Sequence, residues 1–415
     1  MMKATLCLAF VFLASFPGEI TCDCKNNTTS EPLYQDQPVA APPPPPYAQI
    51  RRTQMVPLSV PDEYLTVPSL IRKHGYPSET HNFNTPDNYF LKVHRIPHGK
   101  TCAHARDKPV VLLQHGLFGS SADWVVSGPK YSFAYMLADA GYDVWLGNSR
   151  GNVYSDGHAY LNTGDVKYWN FSWEEMGELD LAATIDYILD ITGQRCLYYI
   201  GHSMGSAVFF ILMSSQPQYN AKIRASFQLA PGFYFLNNFN FQSVKNTTAV
   251  GEFRVKEPMQ DDFERWNCYK QGGVPGIGYL PSIVSHQFAG TSTKAFIHYS
   301  QAVLCGELFQ FDYGIVANLE IYGCVHPPAY NLSLITSPVH IYYSALDPVA
   351  GSCEVNQLAK KLPNVMSVCE VPSYTHLDFL WGVNSKKDIY DEILVHMKRS
   401  YGSCYTGNPV CGKDY

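Results

Sequence analysis

The sequence predicts an α/β chain, with a mostly parallel central sheet, helices on both faces and one long insertion late in the chain. Three observations predict it. Short apolar runs alternate with amphipathic stretches from Val60 onward, Gly201-His-Ser-Met-Gly205 stands directly after one such run, and the alternation stops after Ala230 to resume near Val339. Strands that alternate with helices imply parallel pairing, because a parallel connection must cross the sheet and a helix is the usual crossing.

Taken in order, residues 109–113 (PVVLL), 142–146 (YDVWL), 197–200 (LYYI), 225–229 (ASFQL), 339–343 (VHIYY) and 366–370 (MSVCE) read as strands. The stretch 178–191 sets Leu181, Ile185 and Ile188 at helical spacing, and residues 206–213 follow the pentapeptide as a helix. Residues 231–330 break the pattern with Phe233-Tyr-Phe235, Phe239-Asn-Phe241, Trp266, Tyr269 and a Gly/Pro cluster over 272–281. Doubly wound sheets bind ligands beyond the carboxyl ends of their strands, so an insertion there would form a cap or lid over Ser203. The core is then residues 56–230 and 331–400, followed by a Cys-containing tail over 401–415.

The chain opens on Met1-Met-Lys3 and the apolar stretch 4–16, too short to span a bilayer, and residues 1–22 read as a cleaved secretory signal. Residues 23–55 hold two sequons and the run Pro42 to Pro46, which favours an extended spacer over a packed element. No later segment supplies the roughly 18 continuous apolar residues of a transmembrane helix. Twelve cysteines and sequons at Asn26, Asn27, Asn170, Asn246 and Asn331 agree with an oxidising route, secreted or lysosomal. Cleavage after Cys22 leaves ten cysteines, and Cys404 and Cys411 either pair together or staple the tail. With 46% hydrophobic residues, net charge −6 and no long Lys/Arg run, the chain is globular and nucleic acid is excluded as a partner.

A strand, a sharp turn and a helix form the setting of a nucleophile elbow, where the flanking glycines leave room for a strained serine. Ser203 is therefore the candidate nucleophile. A serine hydroxyl needs a base, and the base needs an acid to fix its tautomer. Asp347 follows the strand at 339–343, and His376 follows the last strand, giving the order Ser203, Asp347, His376. Asp378 and Glu354 are rival acids, but Asp378 lies only two residues from His376. Oxyanion donors are expected at the backbone N–H of Met204, just after the nucleophile, and of Leu117 in the turn His115-Gly-Leu-Phe-Gly119. The chemistry requires no metal or organic cofactor, and no His/Cys group has zinc spacing; His94 and His98 flank a strand and turn.

Together these segments resemble the acid lipase family, which contains gastric lipase, lysosomal acid lipase and insect lipases. The resemblance runs through Leu70-Ile-Arg-Lys-His-Gly-Tyr-Pro77, Asn88-Tyr-Phe-Leu-Lys-Val-His-Arg-Ile-Pro97, His115-Gly-Leu-Phe118, Asn148-Ser-Arg-Gly-Asn152, Gly201-His-Ser-Met-Gly205, Ala289-Gly-Thr-Ser292, Tyr299-Ser-Gln-Ala302 and His376-Leu-Asp-Phe379. It implies the α/β-hydrolase fold, the triad Ser203, Asp347 and His376, the donors Leu117 and Met204, and a movable lid over 231–330 that opens at a lipid/water interface. Three positions depart from the family: Met204 where Gln is usual, Asn88 where Gly is usual, and a less acidic stretch after Asp347. The expected activity is a carboxylic ester hydrolase acting on lipid esters, triacylglycerol or steryl ester. An esterase for small soluble esters and a non-catalytic lipid-binding or storage protein are the alternatives.

Overall fold

The computed structural model describes residues 60–101, 108–232, 252–253 and 279–400. The expected signal (1–22), spacer (23–55) and tail (401–415), with Asn26, Asn27, Asn246, Cys404 and Cys411, lie outside the described residues, as does much of the insertion.

Eight strands build the main sheet: β1 (Glu79–Asn84), β2 (Tyr89–Ile96), β3 (Val110–Gln114), β4 (Asp143–Leu146), β5 (Leu197–His202), β6 (Ile223–Leu229), β7 (Val339–Tyr343) and β8 (Val365–Glu370). Their order is β1-β2-β4-β3-β5-β6-β7-β8, with the two-residue strand Gly157–His158 set beside β2. Pairing is parallel from β4 through to β8. Among these eight strands only β2 is reversed, pairing antiparallel with both β1 and β4. All six expected strands are present to within two residues at either end, and the antiparallel β1–β2 edge is the addition. The edge strands β1 and β8 alternate half-buried and exposed residues, whereas β3 to β7 are buried along their whole length. A strand covered on both faces reads as a continuous apolar run, which is why the sequence shows runs rather than alternation here.

Successive side chains of the central strands feed two separate cores. Leu112, Leu197 and Tyr199 pack with Trp173, Ile185 and Phe209 on one face. Val111, Leu113, Tyr198 and Ile200 pack with Leu137, Phe379 and Ile393 on the other. Each buried aliphatic or aromatic side chain contributes about 1.5–3 kcal/mol relative to exposure. The helix Met204–Ser215 is buried on every side from Met204 to Ser214. A helix apolar all round belongs inside a domain, and this one fixes the residue before it rigidly.

The β1–β2 turn puts Asn88 at φ 71, the left-handed conformation that Gly would otherwise supply. The preceding Asp87 pairs with Arg150 Nη1 at 2.5 Å, while Arg150 Nε reaches Asp180 at 2.7 Å. Arg150 is 1% exposed and lies 4.0 Å from the centroid of the Tyr89 ring. Burial opposes its charge, and the two carboxylates outweigh burial and hold the guanidinium above its usual range.

Between β6 and β7 the chain forms helices Leu280–His286, Thr293–Cys305 and Ile315–Tyr322. Polar ties fasten this segment to the core. The Phe311 N–H donates to Glu174 (3.0 Å), Lys294 pairs with Glu175 (3.5 Å), and the Ala289 N–H donates to the Phe118 carbonyl (2.8 Å). Among the described residues, Cys324, Cys353 and Cys369 are free, while Cys196 is disulfide-bonded. No helix among the described residues is long and apolar enough to cross a membrane.

Candidate active site

Strand β5 ends at His202, and helix Met204–Ser215 begins one residue beyond Ser203. The serine turns the chain at φ 54, ψ −117, a region other residues avoid and one that costs about 1–3 kcal/mol to hold. The Ser203 N–H is tied to Leu229 O of β6 at 3.0 Å. Space dictates the glycines on either side. A Cβ on Gly201 would lie 2.8 Å from the Gly205 carbonyl carbon, and one on Gly205 would lie 2.5 Å from Gln114 O.

The structure brings Ser203, His376 and Asp347 together from the ends of β5, β8 and β7. His376 Nε2 lies 2.8 Å from Ser203 Oγ, and His376 Nδ1 lies 2.9 Å from Asp347 Oδ2. Asp347 is buried, and its Oδ1 accepts the N–H of Val349 (2.7 Å) and of Ala350 (3.2 Å). A carboxylate accepting two backbone donors is fixed in place, so its second oxygen can hold the Nδ1–H tautomer of His376 and leave Nε2 free to accept from the serine. Asp378 faces elsewhere, accepting from Thr375 N (2.7 Å) and Thr375 Oγ1 (2.6 Å). Glu354 sits in helix Ser352–Lys361.

Leu117 lies in the turn Gly116–Gly119, closed by Gly119 N–H to Gly116 O at 3.1 Å. The turn needs positive φ at its third residue, and Phe118 supplies it at 62°. It presses against the elbow so closely that a Cβ on Gly116 would sit 3.1 Å from Ser203 Cβ. Met204 is the first residue of its helix, where the N–H has no intrahelical acceptor. Neither the Leu117 nor the Met204 N–H has an acceptor among the described residues. The Met204 side chain is 2% exposed and packs in the apolar core beneath.

Two buried histidines near the site received no role from the sequence. His115 donates Nδ1–H to Gly116 O (2.8 Å) and accepts the Ser149 N–H at Nε2 (3.0 Å). It thereby braces the turn that carries Leu117, and burial holds it neutral, down to about 4. His202 donates to the His376 carbonyl. The motif text names both residues, but only their partners across the fold reveal what they touch. His94, by contrast, is buried in β2 and pushed to about 3 by desolvation. No group of three metal-binding side chains occurs among the described residues. Asn170 and Asn331 are exposed.

Residues 67–128 match the model of the partial alpha/beta-hydrolase lipase region, and residues 109–231 match that of the alpha/beta hydrolase fold. The gastric triacylglycerol lipase of Bos taurus is 37% identical over 362 residues, covering 80% of this chain and 91% of the relative. Lipase 1 of Drosophila melanogaster is 38% identical, covering 80% of each chain. Among solved structures, a lipase candidate from Sulfolobus solfataricus shares the fold at TM-score 0.51 and 16% identity, covering 78% of this chain and 94% of that one. An α/β-hydrolase sheet, a serine on a strained elbow, and this degree of identity over most of both chains mean that the chain belongs to the acid lipase family of carboxylic ester hydrolases.

Proposed function

We propose that Ser203, His376 and Asp347 form a catalytic triad that hydrolyses lipid esters through an acyl-enzyme. The observation that carries the reading is the continuous path Ser203 Oγ, His376 Nε2, His376 Nδ1, Asp347 Oδ2, with steps of 2.8 and 2.9 Å on either side of the imidazole. Ser203 Oγ attacks the ester carbonyl carbon as its proton passes to His376 Nε2, and the carbonyl π electrons move onto oxygen. The N–H groups of Leu117 and Met204 hold that oxyanion, each contributing about 3 kcal/mol to the transition state. Collapse breaks the bond to the leaving alcohol, which takes the proton from Nε2. Water then repeats the sequence on the acyl-enzyme and releases the fatty acid.

The wider reading has several supports. The insertion follows the carboxyl end of β6, where it can act as a cap over the elbow, and its described part ties to the Leu117 turn through Ala289. Similarity to a gastric triacylglycerol lipase supports triacylglycerol as substrate, an ester that water-borne enzymes meet at a lipid/water interface. A disulfide at Cys196 and exposed sequon asparagines at 170 and 331 support a secreted or lysosomal glycoprotein.

The test is hydrolysis of p-nitrophenyl esters from acetate to palmitate, and of emulsified triolein, by the parent chain and by Ser203→Ala. Activity that rises with chain length and disappears in the variant is the expected result. Activity on acetate alone assigns a small-ester esterase, and equal activity in both proteins removes Ser203 from the mechanism.

A further inference from the structure

His202 is 3% exposed and takes no part in the proton path from serine to acid. Its ring lies 4.8 Å from that of His376, tilted by 43°, and its Nε2 sits 2.9 Å from the His376 backbone carbonyl oxygen. A carbonyl only accepts, so His202 carries its proton on Nε2. The other nitrogen, Nδ1, has no hydrogen-bond partner and faces the Leu117 turn, where a Cβ on Gly116 would lie 3.1 Å from it. One side chain thus touches the loop bearing the base and the turn bearing Leu117, and it is bonded in sequence to the nucleophile. The loop it holds is under strain, with Ser373 at φ 64.

We propose that His202 is a positioning residue: by donating Nε2–H to the His376 carbonyl it anchors the backbone of the base, so that the imidazole keeps its approach to Ser203 Oγ through both halves of the reaction. The inference rests on the triad reading above. The other titratable groups around the ring are His376, Asp347 beyond it, and His115 below the Leu117 turn. Burial, then the neighbouring His376, keeps His202 neutral, so it adds no second positive charge when His376 becomes a cation.

Two substitutions in the full chain separate anchoring from filling. His202→Phe keeps a flat ring of similar size and removes the donor, while His202→Gln keeps an N–H at the same reach and loses the ring. Turnover of p-nitrophenyl butyrate is measured for both, for the parent and for Ser203→Ala, together with the thermal midpoint of each. The expected result is a fall in kcat of about 10- to 100-fold in His202→Phe with KM nearly unchanged, as follows from a small misplacement of a catalytic group, and recovery to within about threefold of the parent in His202→Gln. His202→Phe at parental kcat overturns the proposal, as does a loss in both variants that tracks a fall in thermal midpoint, since packing alone would then explain it. Activity surviving in Ser203→Ala overturns the triad reading itself, and this inference with it.

Discussion

At the scale of single residues, the position after the nucleophile separates backbone chemistry from side-chain chemistry. In the proposed mechanism Met204 offers its N–H to the oxyanion, while its side chain is buried in the core face shared with Trp173 and Met176. Met204→Gln should therefore leave turnover of short esters within a few-fold of the parent, because the donor is unchanged. It should also destabilise the fold by about 1–3 kcal/mol if the amide is left without partners in that apolar setting. Denaturant unfolding and p-nitrophenyl acetate turnover check the two halves separately. Loss of activity on every ester at unchanged stability would show that the side chain itself shapes the oxyanion site. Arg150 makes the opposite case, in which the side chain is everything. Its guanidinium bridges Asp180, 3% exposed, and Asp87 in the edge turn. Arg150→Met would leave Asp180 buried without its cation, at a cost of about 3–5 kcal/mol. An unchanged denaturation midpoint would show that Asp180 finds another partner.

At the scale of elements, the elbow is a matter of clearance. Gly205→Ala would drive a Cβ to 2.5 Å from Gln114 O and 2.9 Å from His115 O, both backbone atoms that cannot swing aside. The helix must shift away from β3, which costs about 1–3 kcal/mol of overpacking, and the displaced Ser203 should lower kcat/KM by about 100-fold. Gly193→Ala is the control. That glycine closes helix Ala182–Thr192 at φ 66 with nothing within 4 Å of its Cβ position, so the change should cost about 1–2 kcal/mol and spare kcat/KM. Equal losses of kcat/KM in the two variants would remove clearance as the explanation. The sequence shows the elbow and the central strands plainly, since β3 to β7 are buried on both faces and leave unbroken apolar text. It shows β1 poorly, because Glu79–Asn84 alternates half-buried and exposed positions and carries only one large apolar residue, Phe83. The order of the proposed triad is legible for the same reason as the strands, each member following one. The contacts of His115 and His202 are not, because those hydrogen bonds join residues up to 174 positions apart.

At the scale of the whole molecule, buried titratable groups set opposing slopes of stability against pH. His94, His115, His298 and His340 are all pushed down by burial, to about 3 for the first and about 4 for the others. Each stays neutral in the folded state while the unfolded chain takes up a proton below about 6.5, so their stabilisation is lost as pH falls from 6.5 toward 4. Asp123 and Glu174 work the other way, burial lifting each carboxyl to about 7. Such a group favours the folded state fully below its unfolded value near 4, and the benefit is lost as pH rises through 7. The two slopes overlap and partly cancel between about 4 and 6.5. Asp123 is the cleaner handle, with 4% exposure and an Oδ1 that has no hydrogen-bond partner. Asp123→Asn removes its titration at nearly constant shape. The variant should melt several degrees above the parent at pH 7.5, lose that advantage steadily on acidification, and coincide with the parent near pH 4. A variant less stable than the parent by the same amount at both pH values would mean that the carboxylate is ionised and paired in the fold, and that the acid side of the profile belongs to the histidines alone.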